Sequence, residues 1–431
     1  MATDAFRGTR LVVAVALSLL AAVPVLAEPH PLSLHQAVEA ALNNNPDLVS
    51  LRKEAGILDA ASVRAGVLPN PTLEVEAATG ALTGSSDDSN LSLGISQEFL
   101  LGDKRPKRRA VVERDLAAYR WQVADRERAL KEQVQGAFCD VLLAQERLGL
   151  ARRSIDLNRQ LLQVAEDRLA AGDIPELEMY LVKVELTRSE GSLIELQRGL
   201  LDSKSKLFSF LALGPGLSPA LSGTLDGKEV QARGVAELKQ FALQSRPDLK
   251  ALQAALGKTD AEIALAEAEG IPNLTAGIAV SRDTSSMEIG GVEGKETSYT
   301  IGVKLSMPIP LFDRNQAGRQ EARARRSSAE IRLQGAAASA EREVESAHAS
   351  LVNAEKVLSL YRSDILRQLD ENLKLTQEAY RLGEVGILAV IEEQKKYFEV
   401  SDSYLAALHA RQVALNRLES AVAADINGGT Q

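Results

Sequence analysis

The chain has 431 residues, 45% of them hydrophobic and 4% aromatic, with a formal net charge of −9. An acidic chain has no electrostatic case for nucleic acid, which basic surfaces bind. Cys139 is the only cysteine, which excludes an intramolecular disulfide and a cysteine-built metal cluster.

The N-terminus reads as an export signal. Arg7 and Arg10 form a positive start, Leu11 to Ala22 an apolar run, and Val25-Leu26-Ala27 a small-residue cleavage site. The expectation is a signal peptide over 1–27, removed before Glu28. The apolar stretch is short for a membrane span and is broken by Pro24. No cysteine stands at the cleavage site to carry a lipid anchor. No later segment is apolar enough for a transmembrane helix, so an exported chain that enters a membrane must use strands.

The remainder is written twice. Asn45-Pro46-Asp47-Leu48 recurs as Arg246-Pro247-Asp248-Leu249, and Leu68-Pro69-Asn70 recurs as Ile271-Pro272-Asn273. Leu169-Ala170-Ala171-Gly172-Asp173-Ile174 recurs as Tyr380-Arg381-Leu382-Gly383-Glu384-Val385. Equivalent positions are 201 apart at the first match and 211 apart at the last, so the second copy carries insertions. The expected copies are 28–233 and 234–431, each reading as helix, two strands, very long helix, turn and long helix.

In the first copy the expected strands are about 72–80 and 91–100. Leu73, Val75 and Ala77 alternate with Thr72, Glu74 and Glu76; Leu91, Leu93 and Ile95 alternate with Ser92, Gly94 and Ser96. In the second they are about 273–283 and 297–307, with Ile278 and Val280, then Tyr299, Ile301, Val303 and Leu305, on the apolar side. Period-two alternation puts one apolar and one polar face on a sheet, which suits a membrane barrel or a half-buried soluble sheet. The connections 81–90 and 284–296 are small and polar and read as flexible, solvated loops.

The helical hairpins are expected at about 104–213 and 312–424. From Lys104 to about Ala171 no proline follows Pro106, and 68 residues span roughly 100 Å. A heptad seam runs along it: Leu130, Ala137, Ala144, Ala151 and Ala165, with Val134, Val141, Leu148, Ile155, Leu162 and Leu169 four residues on. The second copy repeats the seam as Val344, Leu351, Leu358 and Ile365. The returning helices carry Leu186, Leu193, Leu200 and Leu207, and Ile391, Phe398 and Leu405. Four strands cannot close a barrel, so two or three copies must share one, and a conduit with a lumen favours three and 12 strands.

Three segments carry a resemblance: Ile95-Ser96-Gln97-Glu98-Phe99-Leu100-Leu101-Gly102-Asp103-Lys104-Arg105, Arg168-Leu169-Ala170-Ala171-Gly172-Asp173-Ile174, and Pro308-Ile309-Pro310-Leu311-Phe312-Asp313-Arg314-Asn315-Gln316. With the duplicated element order, they resemble the TolC-like outer-membrane efflux family, and within it the cobalt–zinc–cadmium resistance (CzcC-like) components. The resemblance implies a mainly α protomer of a trimeric 12-stranded outer-membrane β-barrel, continued by a periplasmic α-helical coiled-coil tunnel. It implies a passive conduit in a tripartite efflux system, carrying heavy-metal cations. It also implies three partners besides outer-membrane lipid: further copies of the chain, a periplasmic adaptor, and an inner-membrane proton-driven pump of the RND type. Several members carry a lipid-modified N-terminal cysteine; this sequence departs from them, so its insertion rests on the barrel.

The tip turns, Ala171, Gly172, Asp173 and Ile174 with Leu382, Gly383, Glu384 and Val385, read as glycine-capped helix ends. The resemblance adds adaptor docking there, and a bulky change at Gly172 and Gly383, whose backbones are expected to be open, should block it. It makes Glu392 a member of an acidic ring constricting the tunnel, with Ala389 where some relatives have an acid; otherwise Glu392 belongs to a solvated face. Lys104, Arg105, Lys107, Arg108 and Arg109 follow a strand and read as a basic cluster facing anionic headgroups, not nucleic acid. His30, His35, His348 and His409 show no ligand spacing, so no metal site, cofactor or catalytic pair is expected. An envelope coiled-coil protein would leave the four alternating segments unexplained, and a periplasmic adaptor would carry one hairpin rather than two. A drug or protein-secretion exporter is the alternative within the channel class.

Overall fold

A computed structural model describes residues 31–82, 87–214, 216, 218–226, 233–290, 292–362 and 364–426. The expected signal peptide, 1–27, and His30 lie outside them.

Each copy opens with two helices where the sequence suggested one. They are α1 (Leu34–Asn44) and α2 (Pro46–Gly66), then α5 (Val235–Ser245) and α6 (Pro247–Glu269). The repeated X-Pro-Asp-Leu is the joint. Pro46 and Pro247 each occupy a first helical turn, where no amide is needed, and each proline bars the preceding residue from helical backbone. Asn45 caps the first joint, its side chain accepting from the Leu48 amide at 3.2 Å.

The four strands are β1 (Thr72–Thr79), β2 (Ser89–Phe99), β3 (Leu274–Ile289) and β4 (Val292–Ser306), in one antiparallel sheet of order β1-β2-β3-β4. The second hairpin corrects the expected loop over 284–296. Pairing continues from Thr284↔Thr297 to Ile289↔Val292, so most of that stretch is strand. Thr284 is β-compatible despite its polarity, and the serines, acids and glycines between Ser285 and Glu296 have the composition of a loop, which concealed the ribbon.

The long helices follow. α3 (Lys104–Ala171) runs unbroken for 68 residues and returns as α4 (Glu176–Leu211). Its heptad seam is buried as expected, with Val134, Val141 and Ala165 fully covered. The second descent is broken: α7 (Gln316–Arg362) stops, Asp364 takes left-handed backbone at φ 49°, and α8 (Ile365–Leu382) resumes before α9 (Ile387–Val422). The seam expected to pass from Leu358 to Ile365 therefore ends at Leu358, which is buried, while Ile365 is exposed.

Apolar cores are strung along the hairpins. One joins Ala37, Phe138, Val141, Leu207 and Leu408, and a second joins Leu238, Val344, Leu351 and Leu418. The third, at the tip, joins Leu161, Ala165, Ile174 and Val182 of the first copy to Tyr380, Ile387, Val390 and Ile391 of the second.

Candidate functional site

The sheet has two chemically distinct faces. Register places Leu73, Ile95, Ile278 and Val303 in one row across the four strands, and Val75, Leu93, Val280 and Ile301 in the next. These side chains are exposed, Ile301 and Val303 to 81% and 74%, on a surface that no other described residue covers. The opposite face carries Thr72, Ser96, Gly277 and Lys304, then Glu76, Ser92, Ser281 and Thr300. On that face Lys304 of β4 reaches within 3.7 Å of Glu74 of β1, two long side chains meeting over the intervening strands. Gly277 lets β2 and β3 approach closely there, since a Cβ would lie 3.0 Å from the Ile95 carbonyl and from Ser96 Cβ. The sheet is thus polar on one face and apolar on the other, with β1 and β4 as its edges among the described residues.

Below the sheet, the basic cluster divides. Lys104 is only 4% exposed and does not face lipid: its ammonium donates to the Ile271 carbonyl and to Asn273 Oδ1. Asn273 in turn donates to Glu98 at 2.7 Å. Lys104 is thus a clamp between the β2–α3 and α6–β3 corners. Arg108 pairs with Glu269 at 3.6 Å and Arg109 with Glu113 at 2.8 Å, while Arg105 is exposed and Lys107 half-buried.

At the far end, both turns are the same device. Gly172 (φ 80°) and Gly383 (φ 82°) sit in left-handed backbone, and the next residues return amides to the Arg168 and Ala379 carbonyls at 2.9 and 2.8 Å. Ala171, Gly172, Asp173, Leu382, Gly383 and Glu384 are exposed. Ile174 packs inward at 8% exposure and leaves the candidate docking surface, and Val385 is half-buried. Gly172 has open space on its side-chain face, but Gly383 does not, because a Cβ there would meet the Arg168 guanidinium at 3.3 Å. Glu392 lies exposed one helical turn beyond the second tip, on α9.

Sequence reading missed a clasp between the two tips. Arg168 Nη1 donates to the Tyr380 carbonyl at 2.6 Å, and its guanidinium lies 4.9 Å from the Tyr380 ring centroid. A cation on the last turn of α8 also meets the negative end of the helix dipole. Tyr380 is fully buried and its hydroxyl donates to Glu178 at 3.4 Å; burial, then Glu178, raises its pKa. The available signal was the contrast between Arg168 and Ala379 at equivalent positions.

Midway along the hairpins, Asp140 ties three helices together, with His409 Nε2 of α9 at 2.9 Å and Lys206 of α4 at 3.1 Å. The His409 hydrogen bond, reinforced by Lys206, holds the Asp140 carboxyl below its ordinary pKa against the opposing effect of burial. Burial pushes the neighbouring Cys139 thiol to about 11, the behaviour of an inert core cysteine. Among the described residues no helix is long and apolar enough to cross a membrane, and no three His, Cys, Asp or Glu side chains converge on a metal site.

The sequence profile of outer membrane efflux proteins matches residues 37–213 and again 238–424, once per copy. The chain is similar to the cobalt-zinc-cadmium resistance protein CzcC of Cupriavidus metallidurans, at 26% identity over 88% of this chain and 87% of that one. It is also similar to the pyoverdine export outer membrane protein OpmQ of Pseudomonas aeruginosa, at 25% identity over 90% and 83%. Among solved structures, a crystal structure of CusC, described in terms of transmembrane channel formation, superposes with a TM-score of 0.74 at 20% identity, covering 90% of this chain and 91% of that one. That likeness speaks for the fold, and the two profile matches speak for descent. With both copies matched, the chain belongs to the outer membrane efflux protein family, whose members are channels and not enzymes.

Proposed function

We propose that three copies of this chain close one 12-stranded barrel in the outer membrane, and that their hairpins continue it as a periplasmic tunnel. The observation that carries this is the sheet: among the described residues it has an uncovered apolar face, an opposite polar face and two unpaired edges. Unpaired strand edges in lipid cost several kcal/mol per group, and only closure removes them. The mature chain begins at Glu28 and comprises the copies 28–233 and 234–431. Chemical crosslinking and native mass in mild detergent should give three copies, and N-terminal sequencing should read from Glu28. A soluble periplasmic monomer would sink the proposal.

The channel works passively between a periplasmic adaptor and an inner-membrane RND-type pump. The adaptor docks on the exposed tip residues, Ala171, Gly172, Asp173, Leu382, Gly383 and Glu384. Heavy-metal cations are the proposed cargo. The printed name of CzcC supports that choice, as do the carboxylate Glu76 on the polar face and the exposed Glu392 near the tip. In planar bilayers the channel should prefer cations, and Glu392→Gln should weaken that preference. The similarity to OpmQ favours a second reading, an organic cargo. A deletion strain made sensitive to an organic toxin but not to cobalt, zinc or cadmium would decide for it.

A further inference from the structure

Between the Phe99–Leu274 row and the Ser89–Thr284 row, the apolar face of the sheet carries one charged residue, Arg282. It stands in register with Leu91 of β2 and Tyr299 of β4. The β2–β3 ladder is unbroken from Leu274 to Thr284, so alternation keeps Arg282 on the side of Ile278 and Val280. Arg282 is exposed, and among the described residues it makes no hydrogen bond or ion pair. Lys295, farther out on the same face, is already held by Asp87 at 3.3 Å.

In the barrel proposed above, Arg282 stands at a boundary. Leu274, at the helix end of β3, precedes it by eight residues, about 27 Å along a strand. At a tilt of roughly 40° that is about 20 Å of depth, close to the roughly 25 Å height of an outer-membrane apolar band. A lipid-facing cation destabilises a barrel strongly at the midplane and hardly at all at an interface. Arg282 therefore lies where acyl chains give way to headgroups, on the side away from the helices. Tyr299 beside it, 73% exposed, has the apolar ring and polar tip that such a boundary selects. The first copy has no such pair. Offsets of 203 from Pro69 to Pro272 and of 210 from Asp103 to Asp313 map Arg282↔Tyr299 onto Thr79↔Ser89.

We propose that Arg282 and Tyr299 form a binding site for a phosphorylated lipid headgroup of the outer leaflet, one per chain. The guanidinium offers a phosphate two parallel N–H donors, and the tyrosine ring lies along the acyl chains with its hydroxyl at headgroup level. Lipid A, the diphosphorylated acyl-sugar lipid that faces outward in an outer membrane, has this chemistry. The site rests on the trimeric outer-membrane reading above, and ties the barrel rim to that leaflet at three points. An arginine that merely extends its charge into water would hold no lipid.

Native mass of the trimer, purified in mild detergent and stripped of lipid, tests the site. Added diphosphoryl lipid A should bind the wild type at up to three per trimer. Arg282→Leu continues the apolar row, so the trimer should form as before, but lipid A binding should weaken at least fivefold. Lipid A without its phosphates, phosphatidylglycerol and inorganic phosphate should each bind the wild type at least fivefold more weakly than diphosphoryl lipid A. Equal binding of lipid A by wild type and Arg282→Leu would overturn the proposal. So would equal binding of any of the three comparison ligands. Protein that is not trimeric by native mass would overturn the reading beneath it and the lipid site with it.

Discussion

Asp140 shows how a single side chain can tie three long helices together. Its carboxyl has a lowered pKa in the folded protein, so its contribution is present above the unfolded carboxylate pKa, about 4, and is lost as pH falls through the folded value. Asp140→Asn should therefore lower Tm at pH 7, and the difference from wild type should vanish in acid. An equal difference at pH 7 and pH 3 would mean that the effect is not electrostatic. Gly172 and Gly383 are the other single residues on which much rests. Both have positive φ, so alanine at either should cost about 1 kcal/mol in chemical unfolding. Gly383→Ala should cost more, because the new methyl meets Arg168. Bulky residues at these glycines would disrupt the turn itself, so Asp173→Arg and Glu384→Arg are the better probes of adaptor docking. The glycines were legible as caps because a backbone conformation selects its residue. Arg168 and Lys104 were not, because a long basic side chain has the same sequence signature whether it clamps a carbonyl or faces water.

Among the elements, legibility followed the strength of the periodic signal. The span of α3 was readable, since 68 residues with no proline after the first turn, a seam from Leu130 to Leu169 and a glycine cap admit few alternatives. The break between α7 and α8 was not, because Arg362 to Ile365 contains neither glycine nor proline and the helix stops without the usual punctuation. The strand extension to Ile289 was likewise hidden, since a polar hairpin and a polar loop have similar composition. The corner beneath the sheet, where Lys104 joins two elements of different copies, is a further test. Lys104→Met keeps the apolar stem but leaves Asn273 and the Ile271 carbonyl without their donor, and should cost about 1–3 kcal/mol. Proteolysis should then attack the β2–α3 corner first. Unchanged protease resistance would mean that water replaces the ammonium without penalty.

At the scale of the molecule, the two faces of the sheet predict opposite tolerance. Val303→Lys places a charge on the apolar face and should cost about 2–4 kcal/mol if that face meets the bilayer midplane. Ser281→Lys, on the polar face, should be accepted. Yield of detergent-resistant trimer from outer membranes measures both, and equal tolerance would show that neither face meets lipid. The sheet is also stepped. β2 stops pairing with β3 at Thr284, and the β3–β4 ribbon continues from Ser285↔Glu296 to Ile289↔Val292, about 17 Å at the usual strand rise, braced at its base by Asp88 on Ser286 and Asp87 on Lys295. Repeated three times around a closed wall, that step leaves a crown of slender projections on the rim opposite the helices. If that rim faces outward, as the trimeric outer-membrane proposal requires, a peptide tag spliced in after Gly290 should be readable on intact cells, and the channel could be counted on living bacteria without opening them; a tag seen only after the cells are opened would reverse the orientation.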